Sequence, residues 1–176
     1  LCTLFPFIFI IVAIISKITM PGPIFFKQKR TGYDGKDFFC YKFRSMKVNK
    51  DSDRVQAVKD DPRVTKWGLF MRHTNIDELP QFINVLKGDM SLVGPRPERR
   101  YFIDKIMEHD ASYPLVFEMR PGLTSEATLY NGYTDTMEKM LTRLHMDIAY
   151  LKKRTLWTDV TIIFKTFASI VSGRKF

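Results

Sequence analysis

The residues best suited to chemistry are an adjacent carboxylate pair, Asp77-Glu78, with cations placed around it. Arg72 lies just upstream, arginine-bearing turns follow at Arg96 and Arg120, and Lys42 and Arg44 sit on an earlier stretch of strand character. Two carboxylates among several cations suit phosphate chemistry with a divalent ion. Hard oxygen ligands hold Mg²⁺, which takes one or two carboxylates together with substrate phosphates. Guanidinium groups grip phosphate oxygens in bidentate fashion. A neighbouring cation also keeps an aspartate ionised and ready to act as a nucleophile. A plainer role competes, because acidic residues in a first helical turn complement the helix dipole for about 0.3–1 kcal/mol.

Other chemistries find little support. His73, His109 and His145 lie far apart without ligand spacing, and Cys2 and Cys40 read as small apolar residues. No nucleophile elbow, P-loop or glycine-rich dinucleotide turn occurs. The 176 residues suffice for one domain of ordinary size, and 45% apolar with 27% charged residues excludes a disordered tail. Lysine and arginine exceed acidic residues by 28 to 19, a net charge of +9. Such an excess calls for a polyanionic partner, whether nucleic acid, an anionic membrane surface or a phosphorylated substrate.

These groups need elements to hold them. Residues 1–16 carry no charge and are mostly Leu, Ile, Phe and Val. As a helix they would rise about 24 Å, against about 30 Å of bilayer hydrocarbon. Lys17, Lys27, Lys29 and Arg30 follow, which puts the body of the protein on the cytoplasmic side. That order does not fit a cleaved signal peptide. Pro6 inside the run should kink a helix. Two arrangements are open: a hairpin that enters one leaflet and returns, or a spanning helix whose first turns precede Leu1.

The runs IFFKQKR (24–30) and DFFCYKFRS (37–45), with TGYDGK between them, predict a β-hairpin. Residues 47–61 read as a long surface loop. Residues 74–87 predict one helix, with Leu79, Phe82, Ile83 and Leu86 forming a single apolar face, Asn75 and Glu78 a capping pattern, and Gly88 a stop. SLVGPRPERR and Arg120-Pro121-Gly122 read as turns, and 101–108 as a helix. Met137, Met140, Leu141, Leu144, Ile148 and Leu151 mark an amphipathic helix; Trp157, Val160, Ile163, Phe164, Phe167, Ile170 and Val171 mark another. A core face is the ordinary reading of the last stripe. Its basic fringe, Lys165 with Arg174-Lys175, also suits a helix lying on a membrane interface.

PGPIFFKQKRTG, YKFRSM, DPRVTKWG, RHTNIDELPQFINVLKGDMSLVGPRPE and RPGLT, in that order, resemble the bacterial sugar transferase family, the monotopic phosphoglycosyl transferases of envelope glycan assembly. The likeness covers nearly the whole chain. It implies an α+β, mostly helical fold with a small β-hairpin, a re-entrant N-terminal helix-break-helix and amphipathic interfacial helices. Residues 1–20 would be the membrane-inserted segment, with Pro6 at its break, and 21–176 the catalytic domain on the cytoplasmic face of the bacterial inner membrane. The activity implied moves a sugar 1-phosphate from a UDP-sugar to polyprenol (undecaprenyl) phosphate and releases UMP. By resemblance, Asp77 attacks the β-phosphorus and carries the phosphosugar covalently, and Glu78 helps hold Mg²⁺. Arg72 matches a phosphate-binding arginine, and Lys42, Arg44, Arg96 and Arg120 match basic motif positions toward the substrate phosphates. The implied partners are the UDP-sugar, polyprenol phosphate and membrane lipids, with a homodimer as a candidate assembly and no nucleic acid. Phe5 stands where many members have Ser before the break proline, and Ser125-Glu126-Ala127-Thr128 replaces a common Gly-Leu-Ala-Gln run.

Two rivals remain at the level of sequence. A nucleic-acid-binding domain would use the charge and the aromatic–basic hairpin, and would bind in a salt-dependent way, but it leaves residues 1–16 without a purpose. A catalytically inactive membrane-surface adaptor on the same scaffold would bind lipid and transfer nothing.

Overall fold

The computed structural model describes residues 4–47, 61–132 and 134–172. The loop expected over 47–61, save its two ends, and the basic pair Arg174-Lys175 lie outside the described residues. The architecture is mostly helical with two small sheets, as the α+β expectation had it.

Helix α1 (Leu4–Thr19) opens the described chain. Pro6 falls in its first turn, where a missing N–H leaves no helix bond unmade. The helix therefore runs on without interruption, and the kink expected at Pro6 is not seen. No helix among the described residues is long and apolar enough to cross a membrane. One face of α1 packs inward: Val12 and Met20 join Phe43 and Met71 in a buried cluster, and buried Ser16 accepts a 2.9 Å hydrogen bond from Trp67 Nε1. The opposite face, with Phe7, Ile10, Ile11, Ile14 and Ile18, is exposed.

Strands β1 (Phe25–Thr31) and β2 (Asp37–Phe43) form the expected antiparallel hairpin, in register from Phe25↔Phe43 to Thr31↔Asp37. Its turn is a short 3₁₀ segment, Tyr33–Gly35, with Asp34 and Gly35 at positive φ. Helix α2 (Lys66–His73) is capped by Thr65, whose hydroxyl accepts from the Gly68 amide at 3.0 Å. Gly68 lies so close to the end of the hairpin that a Cβ there would sit 1.8 Å from the Ser45 carbonyl oxygen. The backbone cannot yield that much, so Gly68→Ala is expected to cost about 3 kcal/mol or more. The thermal midpoint followed by circular dichroism should fall by roughly 6 °C or more; an unchanged midpoint would contradict this packing.

The single helix predicted over 74–87 is broken in two. Asn75 takes a left-handed conformation and makes no side-chain cap. A 3₁₀ turn follows (Ile76–Glu78), and α3 starts only at Gln81, running to Lys87 with Pro80 as its N-terminal flank. Pro80 has no N–H to offer the Ile76 carbonyl, so a continuous α-helix loses a bond there. The Glu78 side chain is engaged elsewhere and does not complete the capping pattern. The predicted apolar face is also not a core face. Ile83 is exposed and Leu86 is 88% exposed, whereas Gln81 and Asn84 are buried. Asn84 is the reason: it donates to the Phe39 carbonyl at 2.8 Å and accepts from the Tyr41 amide at 3.1 Å, stitching α3 to the edge of β2.

SLVGPRPERR is not all turn, since Ser91–Val93 forms β3, which pairs in parallel with β4 (Gly122–Thr124). Gly94 and Gly122 let the strand ends meet; a Cβ on Gly122 would lie 2.1 Å from the Gly94 nitrogen. Helix α4 (Arg100–Met107), a 3₁₀ segment (Tyr113–Glu118), α5 (Glu126–Asn131, capped by Ser125), α6 (Met137–Lys153) and α7 (Leu156–Val171) complete the fold. The main core joins α4 to α6 through Phe102, Ile103, Ile106, Met140, Leu144 and Ile148. Helix α7 corrects the ordinary reading of its stripe: only Ile162 is buried, while Trp157 is 78% exposed and Phe164, Phe167 and Val171 are exposed beside it.

Candidate active site

The broken helix is what builds the site. The 3₁₀ turn between α2 and α3 packs against β2 and places Asp77 and Glu78 beside it. Strand alternation sends Phe43 into the cluster under α1 and turns Lys42 to the other face, toward Glu78. Lys42 Nζ donates to Glu78 Oε1 at 2.5 Å, and Arg96 Nη2, from the turn after β3, donates to the same oxygen at 3.0 Å. Burial alone would raise the Glu78 carboxyl, but the Lys42 and Arg96 charges outweigh it and hold it well below the usual carboxylate range. Glu78 is thus a fixed anion. The same pairing holds the Arg96 guanidinium firmly charged.

Asp77 is treated differently by its surroundings. It is 6% exposed, and no hydrogen-bond donor holds its carboxylate among the described residues. Burial raises its pKa to about 6, against the opposing charges of Lys42, Arg72 and Arg96 and with Glu78 adding to the rise. Adjacent carboxylates are thereby given different characters: one is pinned and anionic, the other unpinned, more basic and surrounded by cations.

The cations predicted around the pair do not all converge. Lys42 and Arg96 touch Glu78. Arg72, in the last turn of α2, is half-buried, acts electrostatically on Asp77, and is held by no ion pair among the described residues, which leaves its guanidinium available to an anion. Arg44 is a correction. It is buried and donates to the carbonyls of Met20 at 2.5 Å, Pro23 at 2.6 Å and Pro21 at 3.2 Å, so it ties down the exit from α1 and is not free for substrate phosphate. Arg120 is exposed beside the β3–β4 pair, and no contact joins its side chain to the dyad among the described residues.

The dyad fits a divalent ion of the magnesium type. Glu78 keeps its second oxygen unbonded among the described residues, Asp77 keeps both, and Mg²⁺ ordinarily fills its remaining positions with water and substrate phosphate. No group of three His, Cys, Asp or Glu that could hold a metal occurs among the described residues, so substrate oxygens would have to complete such a site.

Sequence reasoning missed the buried charges behind Arg96. Arg30 Nη1 donates to Glu98 Oε1 at 3.0 Å, Arg99 Nε to the same atom at 3.3 Å, and Arg143 and Asp147 from α6 line the next cavity. Their signal was readable: Arg143 and Asp147 interrupt the Met140, Leu144, Ile148 stripe at core-facing spacing.

Fold and site define a mostly helical protein with a centre of carboxylates and cations. The chain belongs to the bacterial sugar transferase family, whose profile matches residues 1–173. It is 45% identical over 159 residues to a UDP-glucose:undecaprenyl-phosphate glucose-1-phosphate transferase of Escherichia coli K12, covering 88% of this chain and 34% of that protein. It is 43% identical over 162 residues to a UDP-N-acetylgalactosamine-undecaprenyl-phosphate N-acetylgalactosaminephosphotransferase of Aeromonas hydrophila, covering 92% of this chain and 38% of that protein. An exopolysaccharide production protein of Rhizobium leguminosarum is 39% identical over 182 residues, covering 99% of this chain and 90% of that protein. The chain thus spans about a third of the length of the first two of these relatives.

Proposed function

We propose that this chain moves a sugar 1-phosphate from a UDP-sugar to polyprenol phosphate and releases UMP, with Asp77 as a covalent nucleophile. The observation that carries the reading is the Asp77 carboxylate itself: buried, without a donor, and surrounded by Lys42, Arg72 and Arg96. In the first step an Asp77 oxygen attacks the β-phosphorus. The bond from that phosphorus to the bridging oxygen breaks, and UMP leaves with that oxygen. In the second step an oxygen of polyprenol phosphate attacks the acyl phosphate and Asp77 departs as a carboxylate. Lys42 and Arg96 hold Glu78 in place, and Arg72 offers its guanidinium to a phosphate oxygen, since transfer of this kind relies on positioning and charge. A bound Mg²⁺, held by Glu78, would offset charge on the transferring phosphate. The names of the relatives support the donor and acceptor classes and differ in the sugar.

The test is UMP release by purified protein given UDP-sugars, Mg²⁺ and polyprenol phosphate. Release is expected; binding to lipid with no release from any UDP-sugar would favour the inactive adaptor. Asp77 must be ionised to attack, and its pKa is raised to about 6. Full reactivity is therefore expected above that value, and kcat/KM should fall about tenfold per pH unit below it. A profile flat down to pH 4.5 would contradict the role of Asp77.

The same reading places the protein on a membrane surface. Exposed Phe7, Ile11, Ile14 and Ile18 on α1 and Trp157, Phe164, Phe167 and Val171 on α7 form apolar faces with no partner among the described residues, and the chain carries a net +9. Such helices lie at the boundary of headgroup and acyl chain, where the lipid-linked acceptor presents its phosphate. Flotation with vesicles containing anionic lipid is expected to carry the protein, and Trp157→Glu with Phe164→Glu to weaken recovery about tenfold or more; undiminished flotation would remove α7 from the membrane contact.

A further inference from the structure

Behind the dyad lies a second group of buried charges that the transfer steps do not use. Arg96, Glu98, Tyr113, Thr134, Arg143 and Asp147 line a cavity of about 20 Å³ between α4, α6 and the turn after β3. Arg143 Nε and Asp147 Oδ1 are buried there without a hydrogen-bond partner among the described residues. Among the described residues, Arg143 Nη2 donates to the Gly132 carbonyl alone, at 3.4 Å. Taking charges out of water is costly, and apolar residues of similar volume would stabilise the α4–α6 core at least as well. Ionisable groups kept in such a place, beside a candidate reactive site, call for a functional reason.

Arg96, Glu98, Arg143 and Asp147 share the cavity, and Arg96 also reaches Glu78; burial raises the Asp147 carboxyl to about 7. Arg96 stands between two carboxylates. It donates to Glu78 at 3.0 Å and also feels the charge of Glu98. Glu98 is drawn upon by Arg30, Arg99 and Arg143. Arg143 feels the Arg96 guanidinium as a like charge, and burial together with that repulsion lowers its pKa to about 10, while Glu98 and Asp147 oppose the fall. Two effects then push in one direction. Arg143 takes up part of the pull of Glu98, and it repels Arg96 across the shared cavity. Both favour the Arg96 guanidinium on Glu78.

We propose that Arg143 is a positioning residue of the transfer reaction, which it serves by keeping Arg96 on Glu78 and off Glu98. The proposal rests on the transferase reading and extends it to α6. It makes a demand that a merely structural role does not: the effect of Arg143 must travel through Arg96 and must depend on positive charge.

The experiment is a cycle on UMP release, with Arg143→Met, Arg143→Lys and Arg96→Met, singly and with Arg143→Met and Arg96→Met combined. Arg143→Met keeps much of the side-chain volume and removes the charge. It is expected to lower kcat about tenfold, and Arg143→Lys to recover most of that loss. Added to Arg96→Met, it should lower kcat by less than about twofold further, because the residue it acts through is gone. Should Arg143→Met fail to yield folded protein, Arg143→Gln serves in its place, with a loss expected alone and none in the Arg96→Met background. Wild-type kcat in Arg143→Met, a lysine variant as slow as the methionine variant, or losses that multiply in the double variant would each overturn the proposal while leaving the reaction standing. A wild-type protein that releases no UMP would overturn both.

Discussion

Asp77→Asn is expected to abolish UMP release, with a fall of at least about 10⁴-fold in kcat. The change is nearly isosteric, so the reason has to be chemical. An amide cannot attack phosphorus as a carboxylate does, and among the described residues no other unpinned carboxylate stands in the site to replace it. Glu78 is adjacent but is held below the usual carboxylate range by Lys42 and Arg96, which makes it the weaker base and keeps it turned to those cations. The fold should survive, and even gain, because a buried carboxylate without a donor is exchanged for a neutral group. An Asp77→Asn protein with an unchanged thermal midpoint and lost turnover would separate chemistry from stability. Full turnover would remove Asp77 from its role.

Glu78→Gln is expected to act on both. Lys42 and Arg96 converge on one Glu78 oxygen. A glutamine oxygen can still accept from both but cancels neither charge. The loss is expected to be about 2–3 kcal/mol, read as a thermal midpoint lower by roughly 5–10 °C. Turnover should fall about 100-fold or more, and the Mg²⁺ concentration for half-maximal rate should rise, because the fixed anion that would hold the ion has been neutralised. In the wild-type protein, EDTA is expected to stop release and added Mg²⁺ to restore it. Turnover in EDTA equal to that in Mg²⁺ would take the ion out of the account, and wild-type behaviour of Glu78→Gln would take Glu78 out of it.

The hairpin, α4, α6 and α7 were legible because their signals are local: alternation in IFFKQKR and DFFCYKF, and helical spacing from Met137 to Leu151. The dyad and its principal cations were legible as well, since Asp77, Glu78, Arg72, Lys42 and Arg96 stand in long motifs. What stayed hidden depends on contacts between distant segments. Whether an apolar stripe is a core face or an outer face cannot be decided by its period, which is why the exposure of Ile83 and Leu86 was not foreseen and α7 stayed open between a core face and an interfacial one. Asn84 looks like an ordinary polar helix residue until its hydrogen bonds to β2 are seen. Arg44 shares the motif character of Lys42, yet it lies against the carbonyls of Met20 and Pro23, which sequence spacing does not reveal. The break at Pro80 has a local cause, the missing proline N–H, within a stretch whose apolar spacing still reads as one helix. That break is what lets the dyad sit on a 3₁₀ turn facing Lys42.

The central claim is a covalent phosphosugar on Asp77, and the most direct measurement is the intact mass of the protein after incubation with UDP-sugar and Mg²⁺ in the absence of acceptor. The account predicts one added sugar phosphate per chain, UMP released in matching amount, no adduct on Asp77→Asn, and loss of the adduct when polyprenol phosphate is supplied. UMP appearing only when donor and acceptor are present together, with the mass of the protein never changing, would contradict it.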